Sequence, residues 1–246
     1  MLCMLCIQCI HQKPKALYII LVSIVTMRRF VIGDIHGRVV ALKEVLTLSN
    51  FNYKDDLLVL LGDVVDGGYN TYEVVEELLK IDNIVFVIGN HDKWFIDNLS
   101  SGWSGDIWLN QGGKNTLDSY RKASIGGMVP VTHQEFFNSG HYYYILNNML
   151  FVHGGFNPRL PIEENSMQTL LWDRSLIEKH KNGRKEHKFD KIFVGHTTTQ
   201  FYGSYKPLKF GKLWMIDTGA GWTGKLTMMN IDTEEYFQSK IQEPAR

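Results

Sequence analysis

The sequence predicts an α/β fold, and two features of the chain support this class. In the first half, short apolar runs that are typical of buried strands alternate with segments whose apolar residues recur at helical spacing. The second half is richer in strands. The 246 residues are 44% apolar and 21% charged, which is ordinary for a globular protein.

The first half contains three predicted strands joined by two helices. Apolar runs predict strands at residues 29–32, 57–61 and 84–88, and helical spacing predicts helices over 38–49 and Thr71–Lys80. Strands separated by amphipathic helices favour βαβ units. Because the crossover connection is right-handed, the turns that follow the three strands should lie on one edge of a sheet.

The second half adds five predicted strands. They cover residues 142–146, 149–152, 191–194, 213–217 and 225–231. Asn147 and Asn148 lie between two apolar runs and indicate a tight hairpin turn, and a short helix is predicted near Asn115–Arg121. Since no Pro/Ser-rich linker, repeat or low-complexity tract interrupts the chain, residues 27–246 are predicted to form one domain.

Residues 1–26 are predicted to lie outside this domain, as a leader or an over-extended start. All cysteines of the chain lie in this segment: Cys3, Cys6 and Cys9. A metal or lipidation cluster is the alternative for them, and disulfides have no part in the domain itself. The apolar stretch 16–27 is shorter than the roughly 20 residues that cross a bilayer. Lys13 and Lys15 could begin a signal peptide, but no small-residue cleavage site follows, so we expect a cytoplasmic protein.

Five of the predicted strands end in turns that carry Asp, Asn or His. These residues are Asp34 and His36, Asp63 and Asp66, Asn90, His91 and Asp92, His153, and His196. At the ends of neighbouring strands, they could form one rim. Oxygen and imidazole ligands without thiolate suit hard to borderline divalent cations, and there are enough of them for two ions.

The order of these residues also indicates which chemical role each of them could have. A carboxylate such as Asp63 can bridge two cations, and the carboxamide of Asn90 limits the negative charge around them. Two ions about 3.5–4 Å apart can hold a bridging hydroxide for in-line attack on phosphorus. His91 need not bind metal, and a protonated imidazole there could donate to the leaving oxygen. Asp66 is the better candidate for orienting His91, and Asp92 the weaker one.

The motifs resemble those of the phosphoprotein phosphatase branch of the calcineurin-like metallophosphoesterases. The matching segments are Gly33-Asp34-Ile35-His36-Gly37, Gly62-Asp63-Val64-Val65-Asp66-Gly67-Gly68, Gly89-Asn90-His91-Asp92, His153-Gly154-Gly155, Leu171-Trp172-Asp173-Arg174, Gly195-His196-Thr197 and Ile216-Asp217-Thr218-Gly219-Ala220. The resemblance extends from Met27 to Asp232. The last segments are especially similar to bacterial and phage protein phosphatases and symmetrical dinucleoside tetraphosphatases.

This resemblance implies two mixed β-sheets packed as a sandwich, with helices on both outer faces in a four-layer arrangement. It implies a metal-dependent hydrolase of phosphate monoesters, with phosphoserine or phosphothreonine in proteins expected first. A dinucleoside polyphosphate or another nucleotide is the alternative substrate, and an inactive scaffold is a remote alternative. The implied cofactors are two divalent ions, manganese before iron, zinc or nickel. Neither a nucleic-acid nor a membrane partner is indicated, since 26 basic residues balance 26 acidic ones.

The resemblance also assigns roles to individual residues. Metal one would be held by Asp34, His36 and Asp63, and metal two by Asp63, Asn90, His153 and His196. Asn90 would in addition contact the substrate phosphate. His91 would be the general acid, with Asp66 as its partner.

One position departs from the family pattern. The second signature normally has an arginine after its second aspartate, where it holds the substrate phosphate, but this chain has Gly67. A guanidinium binds phosphate through two parallel hydrogen bonds that glycine cannot replace. Arg174 resembles the other phosphate-binding arginine of the family, with a surface salt bridge to Asp173 as the alternative. Arg38 is a weaker substitute.

The remaining polar and aromatic segments are less specific. Residues 108–120 are expected to line the substrate cleft, and Asn115 there could contact phosphate. Trp103 and Trp108 are expected at core or rim positions, and stacking on a base or an aromatic side chain is the alternative. The charge run 179–188 is expected to be a solvated loop, and a basic lip that holds a phosphorylated partner is the alternative. The oligomeric state is not specified by any of these features.

Overall fold

Two five-stranded mixed β-sheets form the framework of the protein in a computed structural model that describes residues 27–123, 125–184, 187–222 and 224–240. The strands are β1 (Arg29–Ile32), β2 (Leu57–Leu60), β3 (Asn83–Phe86), β4 (Tyr143–Leu146), β5 (Met149–Val152), β6 (Lys191–Val194), β7 (Leu208–Phe210), β8 (Leu213–Met215), β9 (Thr227–Asn230) and β10 (Tyr236–Gln238). The helices are α1 (Val39–Leu48), α2 (Thr71–Leu78), α3 (Asn90–Ser101), α4 (Asp106–Trp108), α5 (Lys114–Ala123), α6 (Val131–Asn138), α7 (Met167–Trp172) and α8 (Ser175–Lys181).

Each sheet combines three parallel strands with two antiparallel pairings, at one edge of the first sheet and at both edges of the second. The first sheet has the order β10-β9-β1-β2-β3, and β1, β2 and β3 run parallel, with Val31 paired to Val59. The second sheet has the order β4-β5-β6-β8-β7, and β5, β6 and β8 run parallel. The parallel βαβ arrangement predicted for the first half is confirmed, and the turns after its strands share one sheet edge.

The space between the two sheets is filled by apolar residues from both of them. These are Val31, Val59, Leu61, Val87, Met149, Phe151, Phe193, Ile216, Met229 and Ile231. The rings of Phe151 and Phe193 stack there with their centroids 5.0 Å apart. Because alternate residues of each strand face opposite sides of its sheet, the neighbours Phe30 and Ile32 belong to the core on the helical side.

Helices cover both outer faces of the sandwich. In the first sheet, Phe30 and Leu58 belong to one buried cluster with residues of α1, α2, α3 and α5. In the second sheet, Leu150 and Ile192 pack in another cluster with residues of α7 and α8, among them Leu176. The central strands β1, β2, β5 and β6 are therefore buried on both faces, which explains why they form nearly continuous apolar runs in the sequence. The predicted sandwich of two mixed sheets between helices is confirmed.

The local predictions differ from the structure mainly at element ends. Asn147 and Asn148 have φ values of 47° and 60°, as a tight hairpin turn requires. The strand predicted over 84–88 ends at Phe86, because Val87 forms only an isolated bridge with His141. Helices α3, α4, α6, α7 and α8 and strands β7 and β10 were not predicted.

The charge run 179–188 is only partly a solvated loop. Its first residues belong to α8, and His180 is buried with its Nδ1 atom 3.1 Å from the carbonyl oxygen of Phe210. The cysteine-bearing segment 1–26 lies outside the described residues. Within the part of the chain that the structure describes, no helix has the length and apolarity needed to cross a membrane.

Candidate metal centre and active site

Five turns at the carboxyl ends of strands bring the predicted site residues together. They follow β1, β2, β3, β5 and β6 and carry Asp34, His36, Asp63, Asp66, Asn90, His91, His153 and His196. Most of these residues line a cavity of about 480 Å³, which Arg174 also lines, while Asp66 and His153 are fully buried. The structure thus places every residue of the predicted site in one region, at the edge where open α/β sheets bind ligands.

Several site residues have a backbone conformation that is unusual for residues with a side chain. The φ values of His36, Asp63, Asp66 and His196 are 50°, 50°, 68° and 59°, in the left-handed region. Such residues cost of order 1–3 kcal/mol each and persist where surrounding contacts fix them. One such contact is the carbonyl oxygen of Asp63, which accepts hydrogen bonds from the amides of Ile35 and His36 at 3.0 and 2.9 Å.

The carboxylate of Asp92 fixes the turn after β2 against the turn after β3. It is fully buried and accepts hydrogen bonds from the amides of Asp63, Val64, Val65 and Gly89, at 2.6, 2.8, 3.3 and 2.9 Å. Four backbone donors around one carboxylate are a strong, charge-assisted arrangement. From its sequence position Asp92 was expected only as a weaker partner for His91, whereas its hydrogen bonds give it this different, positioning role.

Two histidines are oriented by backbone carbonyl groups. The Nδ1 atoms of His36 and His153 lie 2.9 Å from the oxygen of Val65 and 2.6 Å from that of Leu61. Each ring therefore donates its Nδ1–H and turns its Nε2 atom toward Asp63, at 3.7 Å and 3.4 Å from Oδ2. This is the arrangement that metal-ligating imidazoles usually have.

Two groups of three side chains could each hold a metal ion. Asp34, His36 and Asp63 form one group, and Asp63, His153 and His196 form the other, with ligand atoms within 4.8 Å of one another. Asn90 reaches the second group, since its Oδ1 lies 3.0 Å from Nε2 of His153. The Nε2 atom of His196 is buried without a hydrogen-bond partner. An orphaned imidazole nitrogen beside oxygen donors is what an absent cation would leave.

The ionisation of these groups also fits a bound cation. Burial and the nearby charges of Asp217 and Asp63 raise the pKa of Asp34 well above its usual range, and burial raises the pKa of Asp217 to about 6. Burial lowers the pKa of His36 to about 4 and that of His196 to about 3, which favours neutral imidazoles with a free lone pair. A divalent cation would offset the repulsion among the carboxylates.

His91 and Asp66 form a separate pair beside the ligand groups. The Nδ1 atom of His91 lies 2.7 Å from Oδ2 of Asp66. Asp66 also accepts hydrogen bonds from Nε1 of Trp108 at 3.0 Å and Oγ1 of Thr116 at 2.7 Å. Burial opposes the charged form of His91, but the carboxylates of Asp63 and Asp66 outweigh it and raise its pKa to about 9. His91 is therefore held as a cation with a fixed ring orientation.

Three side chains that the sequence offered as substrate contacts have structural contacts instead. Trp108 is fully buried and donates to Asp66, so it has the expected core position and is not available to stack on a substrate. Trp103 stacks on Trp108, with centroids 6.1 Å apart. Asn115 donates from Nδ2 to the carbonyl oxygen of Gly67 at 2.7 Å, which fixes the turn that contains Asp66.

The position that lacks the expected arginine has a left-handed backbone. Gly67 has a φ of +68°, and a Cβ atom there would lie 3.2 Å from the oxygen of Gly221 and from Cβ of His36. Glycine adopts this conformation without strain, whereas any other residue would meet both the φ penalty and these close contacts. The local geometry is thus adapted to the glycine that the sequence carries.

Arg174 and Arg38 have different surroundings. Arg174 is exposed, follows α7 and lines the cavity. Its neighbour Asp173 accepts hydrogen bonds from the amide of Leu176 and the hydroxyl of Ser175, both at 3.1 Å. Asp173 therefore pairs with a free backbone donor in the first turn of α8. Arg38 donates from Nε to the oxygen of Ala220 at 3.2 Å and is not among the described residues that line the cavity.

Several further residues line the cavity and were not predicted from the sequence. They are Trp172, Thr198, Gln200, Phe201 and Trp222, whereas Gln111, which also lines the cavity, belongs to the segment 108–120 that was expected to line the substrate cleft. Some of them follow a recognised motif closely: Phe201 comes five residues after His196, and Trp222 five after Asp217. That proximity was the available signal, but neither residue belongs to a local pattern that would have separated it from an ordinary loop residue.

Comparisons with known proteins agree with this geometry. The sequence profile described as calcineurin-like phosphoesterase matches residues 27–215. Serine/threonine-protein phosphatase 2 of Escherichia coli (strain K12) is 27% identical over 212 residues, covering 82% of this chain and 92% of that protein. The symmetrical bis(5'-nucleosyl)-tetraphosphatase of Wigglesworthia glossinidia brevipalpis is 39% identical over 67 residues, 27% of this chain and 25% of that protein.

The fold also has solved counterparts. The crystal structure of a metallophosphoesterase from Sphaerobacter thermophilus superposes with a TM-score of 0.57 and 19% sequence identity, covering 88% of this chain and 90% of that chain. At this identity the likeness concerns the fold alone.

We expect Asp92→Asn to lower the free energy of unfolding by about 3 kcal/mol. An amide can accept only through its oxygen, so it leaves some of the four backbone donors unsatisfied, at about 1–3 kcal/mol each. Urea denaturation with a metal chelator present measures the change. The control is Asp97→Asn on the same helix, which removes a partly exposed ion pair with Lys93 and should cost under about 1 kcal/mol. Equal losses in the two variants would contradict the positioning role of Asp92.

Proposed function

Because the chain belongs to the calcineurin-like phosphoesterase family of hydrolases, we propose that it hydrolyses phosphate monoesters, with phosphoserine and phosphothreonine of proteins as substrates. The observation that carries the proposal is the pair of ligand groups that share Asp63, next to the charged His91–Asp66 pair. The choice of substrate is supported by the protein phosphatase relative that is similar over nearly the full length.

We propose that Asp34, His36 and Asp63 hold one divalent cation. A second would be held by Asp63, Asn90, His153 and His196. The donors are oxygen and imidazole nitrogen, which suit manganese first and iron, zinc or nickel as alternatives. When bound, two such ions would neutralise the phosphoryl oxygens and lower the pKa of water, so that a nucleophile is available at neutral pH.

The other side chains would orient the phosphate and move a proton. His91, whose charged form the carboxylate of Asp66 favours, would donate a proton to the leaving oxygen, which otherwise departs as an unstable alkoxide. Asp66 would keep the ring in place and stabilise its charge, as the orienting carboxylate of a histidine does. Arg174 would bind the phosphoryl oxygens through its guanidinium group. Asn90, with its oxygen toward His153, would donate from its amide nitrogen to the substrate phosphate.

A nucleotide substrate is the second candidate, and the short match to a symmetrical tetraphosphatase favours it. The cavity gives less support to this candidate. Among the described residues that line it, Arg174 is the only lysine or arginine, whereas a polyphosphate chain carries several negative charges. An inactive scaffold has still less support, because every proposed ligand and the His91–Asp66 pair are present.

The substrate assignment is tested by a side-by-side panel. With Mn²⁺ present, we expect a phosphoserine or phosphothreonine peptide to have a kcat/KM at least tenfold above those of a dinucleoside tetraphosphate and a cyclic nucleotide. Phosphate release and chromatography of nucleotide products measure this. A preference for either nucleotide would overturn the protein-phosphatase proposal in favour of the second candidate.

The variants His91→Asn and Asp63→Asn test which of these residues binds metal and which acts as the general acid. His91→Asn should keep both metal ions and lower kcat by about 10²–10⁴-fold, the usual contribution of a positioned acid. Asp63→Asn should weaken metal binding first, because the shared carboxylate serves both groups. Metal content after gel filtration, measured by elemental analysis, separates these effects. Loss of metal from His91→Asn would show that His91 is a ligand and that the assigned roles are wrong.

The phosphate contact is tested by comparing Arg174→Ala with Arg38→Ala. We expect kcat/KM to fall by about 10²-fold for Arg174→Ala, the scale of losing one electrostatic donor at a reacting group. Arg38→Ala should lower it less than threefold, because that side chain bonds to a backbone carbonyl outside the cavity lining. Equal small effects would exclude Arg174 as the residue that binds phosphate.

A further inference from the structure

Two exposed aromatic rings line the cavity beyond the proposed ligands. Phe201 is 76% exposed and Trp222 is 65% exposed. Phe201 is the most exposed large apolar side chain among the described residues. Scattered exposed apolar residues are normal on a protein surface, but two aromatic rings lining the same cavity are less easily explained in this way.

Each of the turns that carry these rings is closed by a hydrogen bond of its own. Phe201 lies in the short helical turn Thr199–Tyr202, in which Oγ1 of Thr198 accepts from the amide of Gln200 at 3.4 Å. The amide of Trp222 donates to the oxygen of Gly219 at 3.0 Å, which closes the second turn. Both rings are thus exposed on turns that have their own hydrogen bonds.

The two turns are also joined to each other. The amide of Thr199 donates to the oxygen of Asp217 at 2.9 Å, and Nε2 of Gln200 donates to the oxygen of Thr218 at 3.2 Å. Gly219 has a φ of +90°, and a Cβ atom there would lie 2.2 Å from Nε2 of Gln200. A side chain at this position would therefore displace the Gln200 amide that joins the two turns. The rings keep a defined position relative to His196, from whose strand end the first turn continues.

The polar part of the same cavity carries few charges apart from the ligand groups, His91 and Asp217. It presents Gln111, Gln200 and Thr198, and Arg174 is the one lysine or arginine in the described lining. One guanidinium matches one phosphate group. Groups that flank this phosphate would then meet aromatic rings and amides, which recognise apolar and planar side chains better than charged ones.

We propose that Phe201 and Trp222 bind an aromatic side chain close in sequence to the phosphorylated residue of a peptide substrate. This inference rests on the proposed phosphoprotein phosphatase activity and adds a sequence preference to it. Adjacent residues of an extended peptide are separated by about 3.3–3.6 Å. A residue one or two positions from the phosphoserine can therefore reach the lining of the cavity that holds its phosphate.

The test uses phosphoserine peptides that differ at one position. Each has Phe or Ala at one of the two positions before or after the phosphoserine, so the leaving group is the same throughout. We expect the best Phe peptide to exceed its Ala counterpart by about tenfold in kcat/KM, mainly through a lower KM. Tenfold corresponds to about 1.4 kcal/mol, within reach of one buried aromatic contact. Phe201→Ala and Trp222→Ala should each reduce this ratio to about threefold or less.

The control variant is Tyr205→Ala. Tyr205 is 51% exposed and lies near Phe201 in the chain, but it does not belong to the cavity lining. It should leave the ratio of Phe to Ala peptides and the absolute rates unchanged. Thermal melting of all three variants checks folding, which removal of exposed side chains should preserve.

The possible outcomes separate the two proposals. If the peptides are hydrolysed without preference for Phe, or if Phe201→Ala and Trp222→Ala keep the preference, the aromatic contact is wrong and the protein-phosphatase proposal stands. If none of the peptides is hydrolysed while a nucleotide is, the protein-phosphatase proposal fails and the peptide preference fails with it.

Discussion

The arrangement of the site depends on one buried carboxylate that accepts four backbone hydrogen bonds. Asp92 holds the turn after β2 and the turn after β3 in a fixed relation. Asp63, in the turn after β2, has a left-handed backbone, and its carbonyl oxygen accepts a hydrogen bond from the amide of His36. Side chains from three strands therefore obtain their positions from a network centred on Asp92. Strained conformations of this kind are typical of functional sites that the surrounding structure over-determines.

The sequence predicted the strands of the first half and the residues of the ligand groups, because both depend on local signals. An apolar run followed by a turn with Asp or His is visible without knowledge of the fold. The position of Asp92 beneath two turns and the burial of Trp108 against Asp66 depend on contacts between distant segments, and no local pattern encodes them. The same holds for Phe201 and Trp222, which reach the cavity from loops.

The proposed chemistry and the proposed selectivity come from different parts of the cavity. The ligand groups and the His91–Asp66 pair belong to strand ends, which are rigid and whose residues match a family pattern. The proposed surroundings of the phosphate come from turns between these elements, which carry the aromatic lining and also Gly67, at the position where the family pattern has an arginine. Loops on a rigid scaffold commonly determine which substrate binds, while the catalytic residues on the scaffold stay the same.

Because the proposed ligands come from both sheets, a bound cation would affect how strongly the two sheets are held together. Asp34 and Asp63 follow strands of the first sheet, whereas His153 and His196 follow strands of the second, about 90 residues or more further along the chain. A cation bound by Asp63 and His153 would act as a cross-link between the two layers at one rim. Closing so long a loop early is entropically unfavourable, so the cross-link would form late and then resist separation of the sheets.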